Sequence, residues 1–393
     1  MINKNVFKVN FFKEHRIDYI LLLIALLFKF VSSYITLFFY GIIVLKDFVS
    51  KRVKFKIDIG LLLLVTAVLL YFRNAYFMGL ATLHNCLWVS VLSILSYLIG
   101  KGFGLKLKDE RSVYFFIFYL FFLLALSQIP ITLYDIFVNG LVNPDRDIAV
   151  LGDDESQQLT TSRTIQLSMA ISGIFMLFYQ FKDKGLQYVR NSYIVLAIIA
   201  ELCTLHYVSR TGIALFIIAF TIGGVIKQGI SRRTLFFTII LLFIIYIIKE
   251  TSLGAVFADR EIEGSSIGDA GGRTDRWEMG LLMLLSSPNG YEWESYAHNF
   301  WLDFGREGGL ISCVVLIIFS LYALWNGYLS MKRKTIFSYL SSSIFVYSIM
   351  FPITFFTEPI HVGCPVAMYG YYIFTGMVVE LNRRSKKEIL VKQ

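Results

Sequence analysis

The stretch "IDIGLLLLVTAVLLYF", residues 57–72, holds one acidic residue at its second position and then an unbroken apolar run. Nothing in it alternates, so it cannot be a strand with one wet face. A helix alone pairs all of its own backbone groups away from water, and about 20 such residues cross roughly 30 Å of hydrocarbon. On either side of it, similar runs recur along the whole chain. Of the 393 residues, 56% are hydrophobic and 17% charged, more apolar surface than one water-soluble core hides. The expected fold class is all-α, a single polytopic membrane helix bundle over 1–393.

Twelve candidate spans lie near residues 17–31, 34–45, 57–72, 79–99, 112–134, 163–181, 191–207, 211–226, 234–248, 307–329, 335–351 and 364–381. The first two are short enough to form a tight hairpin, so the expectation is 10–12 transmembrane helices. The first run carries Lys29, lacks a small-residue cleavage site and is followed by further spans, unlike a removable signal peptide. Cys86, Cys203, Cys313 and Cys364 sit in apolar segments without metal or disulfide spacing and read as small hydrophobes.

Most of the 37 Lys and Arg fall in short loops that alternate with the others: 1–16, 46–56, 101–111, 182–190, 227–233, 332–334 and 383–393. Basic short loops stay cytoplasmic, which predicts a multi-pass protein with both termini inside. The net charge of +9 is mostly this topology signal and gives no reason to expect nucleic acid. On the opposite face arginine prevails over lysine: Arg73, Arg146, Arg163, Arg210, Arg260, Arg273, Arg276 and Arg306 against Lys249. Topology needs only charge, whereas the planar guanidinium grips phosphate or carboxylate in two places, so this bias suggests an anionic ligand. For any single arginine the plainer reading is an ion pair with a neighbouring acid.

Two outer stretches are long. Residues 135–162 form the smaller loop, where Asp145 and Asp147 make a two-residue match to metal sites that an acidic, solvated loop explains as well. Residues 252–306 form the large loop before the tenth span, and short helices are expected in it. "RTDRWEMGLLMLLSS" reads as one helix stopped by Pro288, with Arg273, Arg276, Trp277 and Gly280 to one side and leucines with Met283 at the membrane surface. The glycine-rich lead-in is either a close backbone approach to ligand or a mobile linker.

Further on, "AHNFWLDFGREGGLIS", residues 297–312, places Asn299, Asp303 and Arg306 or Glu307 at three- and four-residue spacing, with His298 at the edge of the stripe. A polar stripe facing lipid would be costly, so it should face protein or a wet cavity. His298 taken alone reads as a headgroup-level residue at a capped helix end.

Together, "GGRTDRW", "SSPNGY", "AHNFWLDFGREGGLIS" and the earlier "SRTG" at 209–212 resemble the O-antigen ligase and polymerase superfamily of bacterial cell-surface glycan assembly. The resemblance spans Ser209 to about Leu316 and includes the family's His-Asn and later glycine, here His298, Asn299 and Gly309. The ligase's small hydroxylic residues are only partly present, as Ser312, Cys313 and Val314. What the resemblance implies is a metal-independent glycosyltransferase of the bacterial inner membrane without a cofactor. Its donor would be a glycan on undecaprenyl pyrophosphate, and membrane lipid and a chain-length regulator protein would be its partners. A polymerase that moves the growing glycan onto a new lipid-linked repeat unit is expected, with the ligase to lipid A core, or a flippase of another class, as alternatives. Arg273, then Arg210, with Arg276 in support, would stabilise the pyrophosphate leaving group. His298 would be the general base, kept neutral by the arginines. Asn299 and Asp303 would orient it or bind sugar, and Arg306 and Glu307 would bind substrate. Trp277, Trp293 and Trp301 offer sugar-stacking faces, or membrane anchors.

Overall fold

The structure is a computed structural model that describes residues 10–27, 33–50, 56–143, 163–229, 235, 236, 239, 243, 273–293, 296–332, 340–358 and 360–392. Among these every regular element is a helix. In chain order they are α1 (Asn10–Leu27), α2 (Ser33–Val49), α3 (Ile59–Phe77), α4 (Leu83–Lys106), α5 (Glu110–Leu126), α6 (Ile129–Asn139), α7 (Arg163–Phe178), α8 (Lys184–His206), α9 (Arg210–Gln228), α10 (Arg273–Ser286), α11 (Phe300–Lys332), α12 (Leu340–Thr357), α13 (Ile360–Gly363) and α14 (Pro365–Lys392).

Among the described residues six stretches are long and apolar enough to cross a membrane: α3, α4, α5 with α6, α8, α9 from Thr211, and α11. Two shorter apolar helices, Arg163–Phe178 and Ser341–Thr357, accompany them. The apolar run at 57–72 lies in α3, started by Asp58, whose side chain accepts from the Leu61 N–H. The run expected near 234–248 lies largely outside the described residues. The run near 364–381 is α14, and its burial explains its composition: Val366 through Leu381 are enclosed by protein rather than lipid, so Thr375, Glu380 and Asn382 are accommodated there.

Helices in lipid gain little from hydrophobic contact with one another and rely on close packing of small residues. The α4 segment "GKGFG" supplies them. A Cβ on Gly100 would lie 2.0 Å from the Ile373 carbonyl oxygen of α14, and one on Gly376 would lie 2.2 Å from the Tyr97 carbonyl oxygen. Backbone therefore meets backbone along α4 and α14, while α3 lies against α11 and α11 against α12.

The charges collect at two ends of this bundle. At one end Asp18 and Asp47 are buried against Lys46 and Lys106, and Lys101 is buried against Asp58, which also accepts from Tyr97 at 2.8 Å. The C-terminal part of α14 closes that end, with Arg384 donating to the carbonyls of Gly104 and Leu107. At the other end lie the C-terminus of α3, α10, the start of α11 and the link from α12 to α14.

Candidate functional site

The far end is organised by a break in α11. Gly309 has φ 81° and ψ 170°, so the helix that starts at Phe300 stops and restarts within one residue. Glycine alone adopts that φ without strain, and a Cβ there would also meet the Pro288 carbonyl oxygen at 2.6 Å. A broken helix frees polar backbone groups, and within a membrane protein each must be satisfied internally. The loop after α10 does this: Leu310 N–H donates to Pro288 O at 2.8 Å, and the Tyr291 N–H donates to Arg306 O at 2.8 Å. The Asn74 side chain of α3 donates to Gly308 O at 2.8 Å. The span expected at 307–329 is therefore a short helix up to Gly308 followed by the crossing segment.

The start of that short helix holds the residue singled out in the sequence. Asn299 is its cap, accepting from the N–H groups of Trp301 (3.1 Å) and Leu302 (3.2 Å). Asp303 reaches back to accept from Ala297 N–H at 2.6 Å and Asn299 N–H at 3.2 Å. Both side chains are thus spent on the backbone, and His298 is held between them with φ 53°, a conformation rare for a residue with a side chain. Its Nδ1 is buried without a hydrogen-bond partner among the described residues. Burial first, then the charges of Arg273 and Arg276, push its pKa down from 6.5 to about 3, so the ring is neutral at physiological pH.

α10 brings those arginines. It is amphipathic as expected, with Gly280 and Leu284 buried and Met279, Leu281, Leu282 and Leu285 exposed. Met283 departs from the expectation: it packs with Leu284, Tyr291 and Cys313 instead of facing the membrane, because the α11 break brings Cys313 beneath it. The Trp277 ring lies 4.5 Å from Phe356 at the end of α12, and its Nε1 is buried without a partner among the described residues. Arg273 Nη2 is 3.4 Å from Glu358 Oε1. Arg276 has no ion pair among the described residues. Three groups suited to a ligand rather than to each other, Arg276, Trp277 Nε1 and His298 Nδ1, thus share this corner.

A second polar group sits at the other end of the short helix. Arg306 Nη2 is 2.6 Å from Glu307 Oε1, and Glu307 Oε2 also accepts from Tyr71 OH at 2.6 Å and lies 3.2 Å from His361 Nε2. His361 is buried between the rings of Tyr71 and Phe304, both at 5.3 Å, and its Nδ1 has no partner among the described residues. Beside this group opens a cavity of about 500 Å³ lined by Gly79, Leu80, Tyr291, Glu292, Trp293, Arg306 and Glu307.

Of the residues picked from sequence, Arg273, Arg276, Trp277 and His298 come together, Asn299 and Asp303 serve as caps, and Arg306 and Glu307 face the cavity. Trp293 lines that cavity, whereas Trp301 turns inward and donates to Ser320 Oγ at 3.0 Å. The backbone of Arg210 opens α9 behind its cap Ser209, but its side chain lies outside the described residues, as do Asp145, Asp147 and Arg260. Arg163 follows the plainer reading, buried with Asp135 at 2.7 Å and Tyr207 at 3.0 Å. Sequence reasoning missed Glu358 and His361. Their signal was "FFTEPIHVG", residues 355–363, an acid, a proline and a histidine between two apolar runs.

Compared with known proteins, the chain matches no family model and no curated protein.

Proposed function

We propose that this chain is a membrane glycosyltransferase of bacterial surface-glycan assembly, a polymerase acting on polyprenyl-pyrophosphate-linked repeat units at the extracytoplasmic face. The observation that carries the reading is the corner where Arg276, free of any ion pair among the described residues, and Arg273 flank a neutral His298 whose Nδ1 has no partner there. The motif resemblance supplies the reaction class.

In this reading an acceptor hydroxyl attacks the anomeric carbon of the donor glycan, the bond from that carbon to the pyrophosphate oxygen breaks, and the oxygen keeps the electron pair. Negative charge grows on the pyrophosphate, and the guanidinium groups stabilise it in a partly dry site. The hydroxyl proton passes to His298 Nδ1. A base of pKa about 3 is weak by itself. A bound anion offsets the two arginine charges and raises the ring's proton affinity, so the base strengthens only when the donor is in place. Arg273→Lys tests the pyrophosphate grip, because an ammonium cannot reproduce two parallel hydrogen bonds.

The decisive experiment is deletion followed by gel analysis of surface glycan. Single repeat units on the acceptor support the polymerase. Bare acceptor with accumulated lipid-linked polymer indicates a ligase, and loss of outward-facing lipid-linked units indicates a flippase. Purified protein should elongate lipid-linked units in excess EDTA; loss of activity restored by a divalent ion overturns the metal-independent mechanism.

A further inference from the structure

The cavity beside Glu307 is chemically unlike the arginine corner. Its charged lining consists of Glu292, Glu307 and Arg306, two carboxylates against one guanidinium. Arg306 is moreover already engaged with Glu307 at 2.6 Å. Such a lining repels a pyrophosphate or any other anion. The rest of its lining is Gly79, Leu80 and two aromatic residues, Tyr291 and Trp293, whose ring centroids lie 6.5 Å apart. Flat apolar faces beside a fixed carboxylate match the two surfaces of a sugar ring, whose C–H face packs on an aromatic and whose hydroxyls donate to carboxylate oxygens.

The carboxylate is also held still. Glu307 is fixed by Tyr71, Arg306 and His361, contributed by α3, α11 and the α12–α14 link. A carboxylate offers about four lone-pair sites, so three partners anchor it and still leave it able to accept a further hydrogen bond. At about 500 Å³ the cavity falls within the roughly 300–1,000 Å³ of small-ligand clefts.

We infer that this cavity is a sugar-binding subsite, separate from the anion site at Arg273 and Arg276, that accepts neutral sugar rings and rejects uronic acids. That it holds the acceptor end of a repeat unit rests on the transferase reading; that it binds such sugars does not. Trp293 supplies the stacking face, and Glu292 and Glu307 set the charge selectivity.

The test uses the full-length protein in detergent micelles and saturation-transfer NMR with three methyl glycosides: of galactose, of N-acetylglucosamine and of glucuronic acid. The first two should give signals and the glucuronide none. Trp293→Ala should weaken binding of the neutral glycosides about tenfold, whereas Trp325→Ala, an exposed ring on the crossing segment of α11, should leave it unchanged. Glu292→Lys changes an exposed side chain, spares the fold and should admit the glucuronide. Equal binding in Trp293→Ala and wild type, glucuronide binding to wild type, or no glycoside signal at all overturns the subsite. Glycoside binding lost by Trp293→Ala in a protein whose deletion leaves surface glycan unchanged keeps the subsite and sinks the transferase.

Discussion

His361 Nε2 stands 3.2 Å from Glu307 Oε2, though 54 residues separate them. The contact ties the link between α12 and α14 to the short helix before the α11 break, and Tyr71 of α3 grips the same carboxylate at 2.6 Å. Three elements distant in sequence thus converge on one acid beside the cavity.

Removing His361 takes away a buried hydrogen bond to a carboxylate that Tyr71 and Arg306 still hold. His361→Ala should therefore cost about 1.5–3 kcal/mol and lower the melting temperature in detergent, and Glu307→Gln, which removes the charge facing Arg306, should lower it as well. An unchanged melt for His361→Ala would show that Glu307 needs no histidine.

Arg273→Lys and Arg276→Lys should each fold and insert normally yet lose most glycan elongation, since a point charge lacks the guanidinium fork. Arg73→Lys, at an exposed position of α3, is the control. The measurement is chain-length distribution on a gel, and ladders of normal length from both variants would remove the pyrophosphate role.

His298 gives a pH signature. Its folded pKa of about 3 lies below the ordinary 6.5, so between these values the unfolded chain binds a proton that the folded chain does not. Stability from this group is complete above pH 6.5 and is lost as pH falls toward 3. For activity, kcat/KM reports the free enzyme and should stay level well below about pH 6, whereas kcat reports the donor-bound enzyme and should begin to fall at higher pH. His298→Ala should abolish transfer while donor binding persists. An active His298→Gln would make the residue a positioner and send the base elsewhere; Asp303 and Glu307, already engaged by backbone and side-chain donors, are weak substitutes.

Gly100→Ala puts a methyl group where the Ile373 carbonyl already stands. Separation of α4 from α14 should cost about 1–3 kcal/mol or more, read as loss of the monodisperse peak in detergent. Gly41→Ala, where a Cβ meets nothing within 4 Å, should be silent. Equal behaviour of the two would mean that α4 and α14 do not pack backbone to backbone.

Orientation is testable at the described positions. The four native cysteines are buried, so an introduced thiol dominates labelling by an impermeant maleimide. Glu292→Cys should react in intact spheroplasts and Lys227→Cys only after permeabilisation. The reverse pattern would move the chemistry to the cytoplasmic face and end the proposed function.

Much of the architecture was legible because the signals are local. The apolar run at 57–72 becomes a helix, Pro288 follows the end of α10, and the side of α10 bearing Arg273, Arg276, Trp277 and Gly280 follows from spacing. The polar stripe after His298 was legible as buried or cavity-facing, and Asn299 and Asp303 are buried while Arg306 and Glu307 line the cavity. Their division of labour was not legible, since spacing along one helix cannot tell a cap from a ligand-facing group.

That this is a chain of apolar helices suited to a membrane could be read from the residues without any coordinates, because helical pairing of backbone groups depends only on a residue's near neighbours. The histidine and arginines worth testing were marked by the motif resemblance, which also needs no coordinates. The break of α11 at Gly309, its satisfaction by Pro288 and Asn74, and the arrival of Glu358 and His361 at the site emerged only from the folded molecule. Those facts depend on contacts between segments far apart in the chain, and nothing but the packing of α3, α10, α11 and the α12–α14 link brings those segments together.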